Sequence, residues 1–131
     1  MATKKKVLIA EDYADIRHMT RIMIEMIGYE VVEAANGYEA VKLAKETHPD
    51  VVLMDIAMPE LNGITAASMI HNIAECRDVP IIAITAFGKH YVDEASDYGF
   101  DAVIEKPVDM EDLRTVLDAR LNHSPSHAIS H

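Results

Sequence analysis

The chain has 131 residues and a mass of 14.5 kDa, the size of one domain with one hydrophobic core. Half of the residues are hydrophobic and 26% are charged, which excludes a disordered or fibrous chain on composition. Twelve Lys and Arg residues stand against 22 Asp and Glu residues, and the net charge of −10 disfavours direct binding to nucleic acid or anionic lipid.

The cysteine content and the N-terminal segment exclude several further kinds of site and signal. Cys76 is the single cysteine, so an internal disulfide or a cysteine-based zinc site is excluded. Three lysines at positions 4–6 precede an apolar run that ends at Glu11, which is too short for a signal peptide or a membrane span. We therefore expect a cytoplasmic protein that has no membrane partner.

Short apolar segments alternate with longer amphipathic segments, a pattern typical of parallel strands buried between helices. The predicted strands are residues 7–10, 30–34, 51–54, 81–85 and 102–105. The predicted helices are about 15–28, 38–47, a segment that follows Gly63, 91–98 and 109–121. We expect an α/β fold with a doubly wound, five-stranded parallel sheet and five helices over residues 1–121, followed by a disordered tail at 122–131.

Four of the predicted helices carry an apolar stripe that we expect to face the sheet, and the fourth helix, at 91–98, is weaker. The first helix is expected to have its cap at Asp15 and to stop at Gly28, with an inward stripe of Ile16, Met19, Met23 and Met26. The inward residues expected in three later helices are Ala40, Val41, Ala44, Ile64, Ala67, Met69, Ile70, Leu113, Val116, Leu117 and Leu121. Most of the eight methionines are expected to fill the core.

Polar side chains lie at or directly after the ends of four of the predicted strands: Glu11 and Asp12, Asp55, Thr85, and Lys106. They should converge, because ligands bind beyond the carboxyl ends of the strands in such sheets. Three neighbouring carboxylates repel one another, and a set of oxygen ligands favours Mg²⁺. Asp55 follows a wholly apolar run and can act as a nucleophile that forms an acyl phosphate, with a hydroxyl donor from Thr85 and a positive charge from Lys106.

These segments together resemble the receiver domain of response regulators over about residues 5–121. The matching stretches are 7–12 (VLIAED), 51–59 (VVLMDIAMP), Gly63, 80–86 (PIIAITA) and Lys106-Pro107. The resemblance implies the flavodoxin-like receiver fold, with Asp55 as the phospho-acceptor and a cis peptide before Pro107. It also implies that Mg²⁺ is bound by Asp12, by Asp55 and by the backbone carbonyl of Ala57, with Glu11 acting through water.

The resemblance further implies a role in two-component signalling. A sensor histidine kinase or a histidine phosphotransfer protein would supply the phosphoryl group, and Thr85 and Lys106 would contact its oxygens. A downstream protein target would then bind the face formed by the fourth helix, fifth strand and fifth helix. Such a protein is not a conventional enzyme, although it assists its own phosphorylation and dephosphorylation.

Because no output domain follows Leu121, we expect a stand-alone, single-domain regulator that acts on another molecule. Three alternatives stay open at this point. The chain could be a phosphorelay intermediate that passes the group to a downstream histidine carrier, a phosphorylation-independent binding module, or a fragment of a larger regulator or hybrid kinase.

Three positions depart from the usual pattern of the family. Glu11 stands where Asp is more common, and Val103 stands where a switching Tyr or Phe is frequent. Ala57 and Phe87 occupy the positions that flank the path of the water that removes the phosphoryl group. A methyl group cannot orient water and a large ring can shield the site, so we hypothesise a long-lived phosphorylated form.

Two other α/β functions and one metal site are disfavoured. A phosphatase of the haloacid-dehalogenase type needs a second Asp two residues after the nucleophile, where Ala57 stands. A flavodoxin-type carrier would place a cofactor phosphate against Glu11 and Asp12, which repel it, and no glycine-rich phosphate motif follows any strand. The histidines at 123, 127 and 131 have helical spacing, but Pro125 argues against a metal-binding helix there.

Overall fold

In the computed structural model, the described residues are 4–58, 60–86 and 95–121. Their strands and α-helices alternate along the chain in the order β1 (Lys6–Ala10), α1 (Ala14–Ile27), β2 (Glu30–Ala34), α2 (Gly37–Thr47), β3 (Val51–Asp55), α3 (Gly63–His71), β4 (Ile81–Thr85), β5 (Ala102–Glu105) and α4 (Met110–Leu121). Short 3-10 helices occupy Ala74–Cys76 and Ala95–Tyr98. The helix α4 corresponds to the fifth helix predicted from the sequence.

All five strands pair in parallel in one sheet, in the order β2-β1-β3-β4-β5. The predicted doubly wound sheet is confirmed, and each predicted strand lies within one residue of its observed bounds. The fourth predicted helix has only its last four residues within the described part of the chain, and these form a 3-10 helix that precedes Gly99 at φ 87°. The predicted tail at 122–131 and Phe87 lie outside the described residues.

The three central strands β1, β3 and β4 are buried on both faces because alternate side chains enter two separate hydrophobic clusters. In β1, Leu8 and Ala10 pack with α2 and α3, whereas Val7 and Ile9 pack with α1 and α4. The inward residues predicted for α2 and α4 are all buried or half-buried. Within the described ranges, no helix has the length and apolar character that a bilayer crossing requires.

The predicted inward stripe of α1 is wrong in its main members. Met19 is 65% exposed, Met26 is 70% exposed and Ile16 also faces solvent, whereas the helix buries Thr20 and Ile24. Thr20 can be buried because its hydroxyl donates a hydrogen bond of 2.8 Å to the carbonyl of Ile16. The inward face of α1 includes the polar residue Thr20, so a search for an apolar stripe did not identify it.

Two further details of the helices differ from expectation. The helix α1 begins at Ala14 after Tyr13, so Asp15 lies in its first turn and is not the cap. The methionines within the described residues are also divided: Met54 and Met58 are buried and Met23 packs half-buried against the core, but Met19, Met26 and Met69 are exposed. Met54 follows the pattern of the buried strand β3, whereas the helical methionines were predicted from apolar stripes that are present on more than one side of the helix.

Candidate functional site

The five side chains singled out from the sequence are placed by the carboxyl ends of four strands. Asp55 and Thr85 are the last residues of β3 and β4, and Glu11 with Asp12 follows β1 directly. Lys106 follows β5, and its backbone N–H donates to the carbonyl of Thr85 at 2.8 Å, which continues the pairing of these strands. The strands β1, β3, β4 and β5 therefore end at one common edge of the sheet, as predicted.

The carboxylates of Glu11, Asp12 and Asp55 meet there, with one ligand oxygen of each lying within 4.8 Å of the others. The Nζ of Lys106 lies 3.0 Å from Oδ2 of Asp55 and 3.2 Å from Oε1 of Glu11. We call these four residues the acidic crevice. It holds three carboxylates and one ammonium group.

Two carboxylates of the acidic crevice are almost completely removed from solvent, with side-chain exposure of 3% for Glu11 and 2% for Asp55. Backbone N–H groups hold both in place. The N–H of Tyr13 donates to Oε2 of Glu11 at 3.1 Å, and that of Ala57 donates to Oδ1 of Asp55 at 3.1 Å. Both oxygens of Asp55 therefore accept a hydrogen bond, since Lys106 donates to the other.

The pKa values of Glu11 and Lys106 are both raised in the acidic crevice, but for different reasons. Burial, together with the nearby charge of Asp55, raises the pKa of Glu11 to about 7, although the bonds from Tyr13 and Lys106 oppose the shift. Burial alone would lower the pKa of Lys106, but its contacts with Asp55 and Glu11 outweigh that effect and raise it. The contacts with Asp55 and Glu11 thus favour the charged form of Lys106, and three carboxyl groups still face this one positive charge.

The residues present fit a Mg²⁺ ion. Among the described residues, Oδ1 of Asp12 is a buried side-chain oxygen that has no hydrogen-bond partner, although a buried carboxylate oxygen ordinarily requires one. Oxygen-only donors in a cluster of three carboxylates are the set that Mg²⁺ prefers. The crevice thus combines an excess of negative charge with one buried carboxylate oxygen that makes no hydrogen bond to the described residues and can act as a metal ligand.

The remaining predicted residues lie around the crevice. Thr85 is buried, Ala57 is exposed, and Val103 is half-buried against the cluster that includes α2 and α3. The Lys106–Pro107 peptide is cis, as the resemblance implies.

Gly63 allows the first turn of α3 to lie directly against the end of β3. Its N–H donates to the carbonyl of Ile56 at 3.0 Å. A Cβ atom at this position would clash with the backbone oxygen of Asp55 and would lie 2.8 Å from Cα of Ile56. The glycine quoted for the family resemblance therefore has a physical reason here, because a side chain would displace the strand end that carries Asp55.

Sequence reasoning missed Arg17, which lies on α1 outside the acidic crevice. Its Nη1 donates to the carbonyl oxygen of Glu11 at 2.9 Å, and its Nε donates to Oε1 of Glu33 at 3.0 Å. An available signal was the arginine placed six residues after Glu11, together with an acidic residue near the end of the neighbouring predicted strand.

The sequence model of the family described as "Response regulator receiver domain" matches residues 7–118. The transcriptional regulatory protein PdtaR of Mycobacterium tuberculosis (strain H37Rv) is 46% identical over 114 residues, which cover 86% of this chain and 54% of PdtaR. The chain thus spans about half the length of that relative. The polar-differentiation response regulator DivK of Brucella ovis is 39% identical over 105 residues, which cover 79% of this chain and 85% of DivK.

A solved structure with the same fold comes from Pseudomonas aeruginosa PAO1. It is the receiver domain of the sensor histidine kinase PA1611, with a magnesium ion coordinated in its active-site cleft. The TM-score is 0.84 at 28% sequence identity, and the alignment covers 92% of this chain and 100% of that one.

Proposed function

The chain belongs to the response-regulator receiver family of two-component systems, and on that premise we propose that Asp55 accepts a phosphoryl group from a histidine. Receiver domains are signalling phospho-acceptors rather than conventional enzymes. The observation that carries the proposal is the position of Asp55, which is buried at the end of β3 with Oδ2 bonded to Lys106 and with Glu11 and Asp12 beside it.

In the proposed reaction, an oxygen of Asp55 attacks the phosphorus atom of a phosphohistidine. The new P–O bond gives an acyl phosphate while the N–P bond of the donor breaks, and the leaving imidazole takes up a proton from solvent. The ammonium group of Lys106 balances charge on the phosphoryl oxygens, and the hydroxyl of Thr85 donates to one of them.

Glu11, Asp12, Asp55 and the backbone carbonyl of Ala57 would hold Mg²⁺, with Glu11 acting through water. The bound ion would supply positive charge that neutralises the incoming phosphoryl oxygens. Support for this set comes from the unpartnered Oδ1 of Asp12 and from the ligand oxygens that lie within 4.8 Å of one another. The magnesium ion reported for the PA1611 receiver domain supports the same assignment by analogy.

The partners in this proposal are a sensor histidine kinase or a histidine phosphotransfer protein, and a downstream protein target. The face around β5 and α4, with the segment that precedes β5, is proposed to carry the output, and the location is proposed to be the cytoplasm. Val103 in β5 is small and stands where a switching Tyr or Phe is frequent in the family. The signal is therefore proposed to pass through movements of loops and helices.

The test is the intact mass of the chain after incubation with acetyl phosphate, with and without Mg²⁺. We expect a gain of one phosphoryl group that requires Mg²⁺, is removed by hydroxylamine and is absent in Asp55→Asn. The matched control is Asp78→Asn, which removes an exposed carboxylate that precedes β4 and leaves the acidic crevice intact. No gain in the wild-type chain would contradict the proposal and would favour a phosphorylation-independent binding module.

A second step separates a switch from a relay. The labelled chain is mixed with a histidine phosphotransfer protein, and the label is followed with time. Rapid transfer of the label to histidine would favour a phosphorelay intermediate, whereas retention of the label on Asp55 favours the proposed switch.

A further inference from the structure

Arg17 links α1 to the end of the sheet through two hydrogen bonds of one guanidinium group. Its Nε donates to Oε1 of Glu33 in β2, and its Nη1 donates to the carbonyl oxygen of Glu11. The side chains of Arg17 and Glu33 are only 19% and 20% exposed, so this bridge is partly shielded from solvent. The guanidinium therefore ties α1 both to β2 and to the residue that directly follows β1.

The bonded carbonyl belongs to the peptide unit between Glu11 and Asp12. The N–H of Glu11 already donates to the carbonyl of Ala34 at 3.1 Å, which fixes the strand up to that residue. Because a peptide unit is planar and rigid, the bond from Arg17 sets the direction in which the chain enters Asp12. Among the described residues no hydrogen-bond partner holds the buried Oδ1 of Asp12, so the direction of the backbone is the constraint on this oxygen that the structure shows.

We infer that Arg17 is a positioning residue that aims the carboxylate of Asp12 at a bound magnesium ion by holding the Glu11–Asp12 peptide. This inference rests on the proposed function, because it deepens the account of the same site. Arg17 itself contacts neither the phosphoryl group nor the metal in this account. Groups that orient metal ligands from outside the coordination sphere commonly change metal affinity by about 10- to 100-fold when they are removed.

Arg21 provides a matched control one turn further along α1. Its Nη1 lies 2.6 Å from Oε2 of Glu33, and its Nε lies 3.1 Å from Oε2 of Glu25. Both arginines thus form an ion pair with Glu33, and the bond to the Glu11 carbonyl distinguishes Arg17 from Arg21. Loss of either arginine weakens the connection between α1 and β2, whereas only loss of Arg17 releases the peptide.

The sign of the effect separates positioning from simple electrostatics. Removing a positive charge near three carboxylates should strengthen the binding of a cation, by an amount that solvent and salt reduce. Positioning predicts the opposite for Arg17, because a misdirected Asp12 is a poorer ligand. Weaker binding of Mg²⁺ after loss of a nearby positive charge is therefore a result that charge alone does not produce.

The experiment is calorimetric titration of the full chain with Mg²⁺ for wild type, Arg17→Met and Arg21→Met, together with urea unfolding of each. We expect the dissociation constant to rise about tenfold in Arg17→Met. In Arg21→Met it should stay the same or fall. Equal changes in the two variants, or tighter binding in Arg17→Met, would overturn the inference. If Arg17→Met does not fold, Arg17→Gln and Arg21→Gln replace the pair, with the same expected order.

Phosphoryl gain from acetyl phosphate gives a second readout. If Arg17 acts through metal binding, raising the Mg²⁺ concentration about tenfold should restore the rate in Arg17→Met to that of wild type. A rate that stays low at saturating Mg²⁺ would overturn the inference. A wild-type chain that neither binds Mg²⁺ nor gains a phosphoryl group would instead overturn the proposed function, and the positioning role with it.

Discussion

Two clusters of charged side chains, linked by the hydrogen bond from Arg17 to the carbonyl of Glu11, differ in charge balance and in burial. The acidic crevice has three carboxylates and one ammonium group, and its Glu11 and Asp55 are almost fully buried. The other cluster, which we call the surface ion-pair network, comprises Arg17, Arg21, Glu25 and Glu33, with two positive and two negative charges and side-chain exposures of 19–46%.

Glu11 and Glu33 show what this difference means for one residue type. Burial and the charge of Asp55 raise the pKa of Glu11 to about 7, whereas hydrogen bonds from Arg21 and Arg17 lower the pKa of Glu33. The surface ion-pair network satisfies its own charges and needs no ligand. In the acidic crevice three carboxyl groups face one ammonium group, and this imbalance is what the proposed Mg²⁺ ion would reduce.

Removal of Lys106 should have the largest effect, because it is the cation that contacts two carboxylates of the acidic crevice. We expect Lys106→Met to slow phosphoryl gain from acetyl phosphate by about 100-fold, as is typical when one charge-stabilising group is lost from a reaction site. Affinity for Mg²⁺ should rise at the same time, because Glu11 and Asp55 lose a competing positive charge. Intact mass against time and calorimetric titration measure the two quantities.

The control for Lys106→Met is Arg21→Met, which removes a positive charge from the surface ion-pair network and should leave the rate of phosphoryl gain unchanged. A wild-type rate in Lys106→Met would contradict the distinction between the two clusters. It would mean that the balance of charge in the acidic crevice is not what supports the transfer.

The next effect concerns the backbone beneath the acidic crevice. Gly63→Ala places a methyl group against the backbone oxygen of Asp55 and should destabilise the fold by about 2 kcal/mol, in the range of overpacked sites. Gly37→Ala is matched to it, since its Cβ would lie 2.6 Å from the backbone oxygen of Leu61. Both variants should unfold at lower urea concentration, but only Gly63→Ala should also weaken Mg²⁺ binding. Equal Mg²⁺ affinities would show that Asp55 is not positioned through Gly63.

The acidic crevice was predictable because its residues lie at or just after the ends of short apolar strands. Strand periodicity places Asp55 after 51–54 and Lys106 after 102–105, and parallel pairing brings such strand ends to one edge. The family motifs then supplied the roles of the residues. The α/β alternation gave the sheet by the same reasoning, and the observed strand order β2-β1-β3-β4-β5 is that of a doubly wound sheet.

The inward face of α1 and the role of Arg17 could not be read in this way. Helix α1 has apolar residues on more than one side, so a stripe through Met19 and Met26 was as regular as the true one through Thr20 and Ile24. The contact between Arg17 and the Glu11 carbonyl depends on the path of the backbone after β1 and on Glu33 from a different strand. Helical periodicity carries no information about such contacts.

Titration of Glu11 and Glu33 should give opposite signs in the metal-free protein. The raised pKa of Glu11 means that its protonated form is favoured by folding, so this stability is complete below the ordinary value of 4.5 and is lost as pH rises through about 7. The lowered pKa of Glu33 gives stability that is present above its ordinary value of 4.5 and is lost as pH falls through the lowered pKa.

The measurement is urea unfolding of wild type, Glu11→Gln and Glu33→Gln in a chelator over a range of pH. Relative to wild type, Glu11→Gln should gain on the order of 2 kcal/mol between pH 5 and pH 8. Glu33→Gln should be less stable than wild type at pH 8, with the gap closing in acid. If the stability of both variants relative to wild type changed in the same direction with pH, the contrast between the acidic crevice and the surface ion-pair network would be contradicted.

The smallest expected effect lies wholly within the surface ion-pair network. Arg21 and Glu25 form an exposed pair four residues apart on α1, with side chains 39% and 46% exposed, so solvent screens their attraction. Glu25→Gln should lower the free energy of unfolding by no more than about 0.5 kcal/mol. The loss should vanish at about 1 M salt, where charges are screened over about 3 Å.

The variant Glu25→Gln should leave both Mg²⁺ affinity and phosphoryl gain at wild-type values, because Glu25 has no described contact with Arg17 or Glu11. A change in Mg²⁺ affinity would mean that the two clusters are coupled along α1, and the positioning role would then belong to the network as a whole rather than to Arg17.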